Sequence, residues 1–536
     1  NHRAQPCFPR SRQGNARLVH ATGASSRVMR FWISCALFVW ACACLEGTLS
    51  HNLYSSRSPE LSGLHHYFNA DAMYLPALFQ DWQAGKDLHG WTLPPAPYLF
   101  PDLPIYFTFL KFFPFKSAAF LAGIFLLLFN LFSVLYFAKR GLRVKRSNSS
   151  VLLTGAILLC VLARCAIAEE FYSLIVPTFH AGVLGIAFLT FGWMLQSEHS
   201  RSRLPHLVAT MTLASLSDAL IIALVLPAAV SWILVRRTRS SVLAALAIAT
   251  GLILGRLAVG PMSDYLAPIF RVSPERDVLH FLTSEHALST IVNDLSQPVY
   301  LLPVAFAVVM VAYAMSVKQR QGLILPAVAI LSAGVAASAF SHQVGLPRME
   351  PRYALMPLFA AGTLAGMWLF RSRLFFVLAA IFVSVTIFKT RTEAGIHPIE
   401  EAANCLSGLS ETHGIKKGFA DYWHSKQYSV LTDRRVHIEQ IHVNAGARIV
   451  EPRMWINNLD GYFPENRPED FDFLIANDLP RDVLLERFGE PVLKRSCGHL
   501  DVWIYRKDNR GVVPFTFDSF QLWRNAIGRP ARIKDK

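Results

Sequence analysis

The sequence predicts a polytopic α-helical membrane protein of about eleven transmembrane helices with a small α/β domain at its C-terminal end. Three observations predict it. The 536 residues are 53% hydrophobic and only 17% charged, whereas an ordinary soluble domain carries about a quarter charged residues. Apolar runs recur through the first part of the chain, several near the roughly 20 residues a helix needs to cross hydrocarbon. The net charge of +15 lies wholly in that part: residues 1–390 hold 31 Lys and Arg against 16 Asp and Glu, and residues 391–536 hold 21 of each. This composition excludes a simple cytosolic enzyme.

The runs extend over Phe31–Cys44, Ser117–Ala138, Val151–Ile167, Phe179–Leu195, Leu207–Leu216, Ala219–Val235, Val242–Val259, Val299–Met315, Gly322–Phe340, Tyr353–Phe370 and Leu374–Phe388. Most end at basic clusters. Leu207–Leu216 is short, and spans only if the bilayer thins or if it is a half-helix lining a polar cavity. If every second connection is cytoplasmic, beginning with the N-terminal tail, those connections hold 20 basic residues and one acidic one, Glu198; the rest of residues 1–390 holds 11 basic and 15 acidic. This is the asymmetry of the positive-inside rule, and eleven crossings leave the C-terminal tail outside. Basic residues dispersed loop by loop do not make a nucleic-acid surface, so none is expected as a partner.

The expected organisation is a basic leader over 1–28, disordered or a mis-set start ahead of Met29; a transmembrane domain over 29–390 with a long first outer loop, 48–116; and an extracytoplasmic domain over 391–536. Ala41-Cys42-Ala43 faintly resembles a signal-peptidase site, but the first run reads as an uncleaved anchor. Five of the eight cysteines lie in apolar runs as small hydrophobes. Cys405 and Cys497 lie in the outer tail, where an oxidising compartment allows a bridge. In the tail, 471–477 reads as a strand, 480–488 as a helix opening on Pro480, and 491–495 with 499–507 as a hairpin joined near Gly498.

Charges at a membrane edge are costly unless they face a cavity, so their positions locate function. In the first outer loop Asp71, Tyr74, Leu75 and Leu78 recur at helical spacing, placing Asp71 and Tyr74 on one face of a short helix against the membrane surface. The alternative is an interfacial helix with a solvated acid. Prolines between Pro94 and Pro101 force an extended return past Tyr98 and Asp102 toward the second span. Glu169 and Glu170 stand where the third span leaves the membrane, and adjacent carboxylates cannot both face one pocket; taken in isolation they read as a solvated turn. Asp218 tops a hairpin opening outward, or simply caps the following helix. Arg348 and Arg352 make a forked donor array suited to a phosphate or pyrophosphate, unless they pair with Glu350.

Together these places resemble the GT-C superfamily of membrane glycosyltransferases, and more narrowly the bacterial relatives of its aminoarabinose transferase and protein O-mannosyltransferase branch. The resemblance covers about 31–388. It rests on the acid-bearing first outer helix (Asp71-Ala72-Met73-Tyr74), the Tyr98 to Tyr106 return, the acids after the third span, and Arg352-Tyr353 with Pro357. It implies a GT-C-like fold and a sugar donor on a polyprenyl phosphate, with transfer to an extracytoplasmic lipid, glycan or protein acceptor at a bacterial inner membrane. Displacement at the anomeric carbon needs a base and a cationic site for the departing phosphate. Asp71 is the expected base. Glu169 or Glu170 would orient the acceptor, Arg348, Arg352 and Tyr353 would hold the donor phosphate, and Tyr74, Tyr98 and Asp218 would line the substrate site. Where some relatives have a second acid beside the first-loop Asp, this chain has Ala72; where others have a Lys in the return, it has Asp102, which would be a second catalytic acid or a metal ligand. The resemblance allows a divalent cation, Mg or Mn, at Asp71 and Glu170. No His/Cys spacing argues for zinc, and His65-His66 is too short a signal.

Two other classes fit the same composition. A transporter or flippase for a lipid-linked sugar would place ionisable groups near the midplane on broken helices, and Arg164 and Arg256 are the only charges well inside runs. A ligase or polymerase joining whole lipid-linked glycans would have a similar Arg-rich outer face. In the tail, Asp421-Tyr422-Trp423-His424 and Met454 to Asn458 offer aromatic and amide surface for stacking on sugars, or for docking the tail onto the membrane part.

Overall fold

In a computed structural model of the protein, the residues described are 28–43, 70–86, 88–94, 96–141, 148–164, 180–197, 200–265, 283–343, 349, 361–366, 372–389, 398–453, 456–458 and 471–505. The helices are α1 (Val28–Ala43), then α2 (Ala70–Gln83), α3 (Asp102–Phe112), α4 (Phe115–Tyr136), α5 (Asn148–Arg164), α6 (Val183–Ser197), α7 (Leu204–Ser217), α8 (Leu220–Arg236), α9 (Arg239–Tyr265), α10 (Ala287–Leu295), α11 (Pro298–Ser316), α12 (Ile324–Gln343) and α13 (Arg373–Lys389); the expected runs fall on them, except that the run at Tyr353–Phe370 lies outside the described residues apart from 361–366. Among the described residues three segments are long and apolar enough to cross a membrane: Phe115–Lys139, Arg239–Pro261 and Arg320–His342. A fourth qualifies if α10 and α11, bent by 96° at their junction, count as one broken span.

Large apolar side chains remain exposed along these helices, among them Leu246, Ile253 and Leu257 on α9 and Leu378, Ile381 and Val385 on α13. A water-soluble surface rarely leaves so continuous an apolar face, whereas lipid requires one. The inward faces pack closely. The run at Leu207–Leu216 lies within α7, which packs along α9 at backbone contact: a Cβ on Gly255 would come 2.4 Å from the Thr212 carbonyl oxygen, and Ser215 Oγ donates to Leu252 O at 2.9 Å. Small residues at such a crossing let main chains approach, as helix association in lipid demands.

The C-terminal part is a six-stranded sheet of order β3-β2-β1-β4-β6-β5. Its strands are β1 (Lys417–Ala420), β2 (His437–Asn444), β3 (Ile449–Pro452), β4 (Phe473–Ile475), β5 (Leu493–Cys497) and β6 (Leu500–Ile504). The central strands β2, β1 and β4 are parallel, and the flanking pairs antiparallel. Helices α14 (Pro398–His413), α15 (Tyr422–Leu431) and α16 (Arg481–Phe488) accompany them. The expected 471–477 strand, 480–488 helix and hairpin are all present, the hairpin turning at Gly498 with φ 63°. Cys405 on α14 and Cys497 at the end of β5 form a disulfide with Cα atoms 5.4 Å apart.

The sheet domain rests on α2. Arg434 ion-pairs with Asp81 at 2.5 Å and donates to Gln80 Oε1 and Ala77 O. Asn458 Nδ2 and Trp91 Nε1 donate to Asp81 Oδ2 at 2.8 and 2.9 Å, and Asn457 N donates to Thr92 Oγ1 at 3.0 Å. Burial by itself raises the Asp81 carboxyl pKa; the Arg434 charge and hydrogen bond, with Asn458 and Lys86, overcome that and hold it below the ordinary carboxylate range. The expected surface helix is therefore enclosed. Leu75 and Leu78 are buried as the spacing predicts, but so are Ala72, Met73, Ala77 and Phe79 on the other faces, because the sheet domain covers what the membrane part leaves open.

Candidate functional site

The first outer helix, the proline-rich return and the α7–α8 corner meet at one place. Tyr74 is wholly buried on α2, and its hydroxyl donates to Pro97 O at 2.6 Å, holding the return against the helix. The return is tied at its other side to the end of α7, with Tyr98 N donating to Ser217 O at 3.2 Å and Phe100 N to Ser217 Oγ at 2.8 Å. Tyr98 lies with its ring centroid 6.4 Å from that of Tyr74. These ties carry Asp102, buried at the first turn of α3, into the same region. A helix N-terminus favours a carboxylate there.

Two residues that the sequence reading passed over complete this corner. His180 meets Asp218 Oδ2 through Nδ1 and packs edge-on against Tyr98 at 5.3 Å. Gly182 lets its segment lie against the return, since a Cβ there would stand 2.4 Å from Pro101 and 2.7 Å from Asp102 Oδ2. The segment is held by Asn130 Nδ2, which donates to Ala181 O at 2.6 Å. Tyr98 and His180 both adopt left-handed backbone, φ 49° and 61°, conformations that non-glycine residues keep only where surrounding contacts over-determine them. Asp218 is engaged by both oxygens: Oδ1 accepts from Leu220 N at 2.9 Å, at the first residue of α8, whose N-cap is Ala219, while Oδ2 takes His180.

Asp71 stands at the seam with the sheet domain. The Tyr422 hydroxyl, from the start of α15, donates to Asp71 Oδ1. Beside Tyr422 lie Lys426 and Arg453, each over its ring at 5.3 and 5.1 Å, and Lys426 Nζ donates to Gln440 Oε1. Burial pulls the Lys426 pKa down to about 7, against the raising charges of Asp71 and Glu439. Burial, and after it the charges of Asp102, Asp71 and Asp218, push the Tyr74 phenol well above its ordinary pKa.

The aromatic and amide residues of the tail dock it rather than present an open platform: Tyr422 is spent on Asp71, Asn457 on Thr92 and Asn458 on Asp81. Trp423 keeps 41% of its surface exposed. Glu169, Glu170, Arg348, Arg352, Tyr353 and His65-His66 lie outside the described residues. Among the described residues Asp71, Asp102 and Asp218 do not bring three donor atoms within 4.8 Å of one another; the one such group is Asp421, His424 and Asp478 in the sheet domain. A second buried polar cluster lies at the α10–α11 bend, where Asp294 accepts from Ser338 Oγ at 2.6 Å and meets His342 Nε2 at 3.0 Å. Neither His180 nor Asp294 carried a local signal beyond a polar residue at the edge of an apolar run.

Compared with known proteins, the chain matches no family model, no curated protein and no solved structure.

Proposed function

We propose that the protein is a GT-C-type membrane glycosyltransferase, moving a sugar from a polyprenyl-phosphate donor to an extracytoplasmic lipid, glycan or protein acceptor. One observation carries this reading: the helix bearing Asp71 and Tyr74, the return leading to Asp102 and the corner bearing Asp218 are tied together, Tyr74 to Pro97, and Tyr98 and Phe100 to Ser217, beneath a polar domain that reaches in with Tyr422. Eleven crossings with a cytoplasmic N-terminus would set this cluster, and the sheet domain with its Cys405–Cys497 bridge, on the outer side of a bacterial inner membrane.

In this reading Asp71 takes the acceptor hydroxyl proton as the acceptor oxygen bonds to the anomeric carbon. The bond from that carbon to the phosphate oxygen breaks, and the electron pair leaves on the phosphate, which Arg348 and Arg352 neutralise and Tyr353 helps to hold. Tyr422 orients the base, and Asp102 with the His180–Asp218 pair, joined by Glu169 or Glu170, positions the acceptor. The cluster's described acids do not make a three-donor metal site, and no step here runs through a cation.

A transporter or flippase for a lipid-linked sugar is the second reading, favoured by the 96° break between α10 and α11 beside buried Asp294, a feature transporters place at their binding sites. The test identifies co-purified lipid by mass spectrometry, then compares transfer by wild type and Asp71→Asn. The variant is expected to fold and bind donor while turnover falls by about 100-fold or more. Full activity would remove Asp71 from the mechanism; movement of intact glycolipid without bond cleavage would establish the second reading instead.

A further inference from the structure

We infer that Asp421, His424 and Asp478 form a divalent-cation site in the sheet domain, suited to zinc or manganese and separate from the Asp71 cluster's chemistry. The topology brings them together. β1 and β4 are parallel neighbours, and the chain leaves β1 through α15 toward β2 on one side, and β4 through α16 toward β5 and β6 on the other. In such a sheet the crevice beyond the carboxyl ends of two diverging strands is where ligands bind. Asp421 follows β1 directly, and Asp478 stands three residues beyond the end of β4.

The local geometry adds the third donor. Asp421 caps α15, its Oδ1 accepting from Trp423 N at 2.6 Å and His424 N at 3.3 Å. Its other oxygen, Oδ2, meets Nδ1 of His424, one turn into the helix, a contact that the ion would replace. One donor atom from each of Asp421, His424 and Asp478 lies within 4.8 Å of the others. Zinc bonds of about 2.0–2.2 Å hold donors roughly 3–4 Å apart, inside the 4.8 Å within which these three side chains each offer an atom. Two carboxylates balance the charge of a divalent ion, and the imidazole selects a borderline metal over calcium or magnesium, which prefer oxygen throughout.

A separate observation points the same way. His499, on the neighbouring turn, lies with its ring 6.3 Å from that of His424. Its Nε2 is engaged by the Tyr428 hydroxyl at 2.9 Å, while Nδ1 is shut off from solvent with no hydrogen-bond partner among the described residues. A water on the ion's fourth position would supply that partner. Bound here, the ion fixes the first turn of α15 and with it Tyr422, the residue that reaches Asp71.

The test uses the full chain purified in detergent, stripped with a chelator, freed of it, and titrated with Zn²⁺ or Mn²⁺, with bound metal counted by mass spectrometry and thermal unfolding followed in parallel. Wild type is expected to bind one ion tightly and to unfold at higher temperature with it. Asp478→Ala, which spares the α15 cap, should weaken binding by roughly tenfold or more and abolish the thermal shift, as should His424→Ala. Asp482→Ala, removing an exposed carboxylate on α16, should change neither. Equal binding by wild type and Asp478→Ala, or binding of Ca²⁺ that His424→Ala leaves intact, would overturn the site.

Discussion

Lys426 is buried at the seam between the sheet domain and α2, and its pKa near 7 makes stability depend on pH. In the unfolded chain a lysine titrates near 10.4. Between about pH 7 and 10 the unfolded state therefore holds a proton that the folded state has released, so stability rises with pH across that window and is lowest below it. The effect is on the order of a few kcal/mol. Thermal unfolding at pH 7 and pH 9 should show wild type gaining stability and Lys426→Met largely losing that dependence; identical slopes would mean the ammonium is not the group responsible. Tyr422→Phe tests the neighbouring contact. It removes one hydrogen bond to a carboxylate, worth about 1.5–3 kcal/mol, so transfer should fall by roughly tenfold or more if Asp71 is the base, with the fold retained.

The α7–α9 crossing shows what one side chain does to a pair of helices. Gly255 faces the Thr212 carbonyl so closely that any side chain must push the axes apart, whereas Gly260, on the same helix, has no neighbour within 4 Å of a Cβ. Gly255→Leu is expected to destabilise the protein by about 1–3 kcal/mol, read as a lowered unfolding temperature in detergent, and Gly260→Ala to leave it unchanged. The same crossing involves the short apolar run at Leu207–Leu216, whose helix, α7, lies in close contact along α9. Runs and turns were legible because helix and strand patterns repeat over a few residues; the 471–477 strand and the Gly498 hairpin were readable for that reason. Closeness between α7 and α9 was not, since a glycine in an apolar run looks the same whether it faces lipid or a backbone.

At the scale of the molecule, the docking of the sheet domain on α2 depends on a buried charge. Asp81 is almost wholly enclosed, and Arg434 is its principal partner. Arg434→Ala would leave that carboxylate with only Lys86 and neutral donors, at a cost of about 3–5 kcal/mol. Limited proteolysis should then release the sheet domain faster than in wild type; unchanged resistance would show that the remaining contacts hold it. Composition, the distribution of charge along the chain, apolar runs and the secondary structure of the tail were determined by the sequence alone, because each is a property of neighbouring residues. Only the tertiary structure decided that Tyr422, 351 residues from Asp71, is its hydrogen-bond partner, that His180 pairs with Asp218, and that Asp421, His424 and Asp478 converge. Those pairings join segments whose approach is set by packing and sheet order, and no local pattern along the chain encodes which distant surfaces will meet.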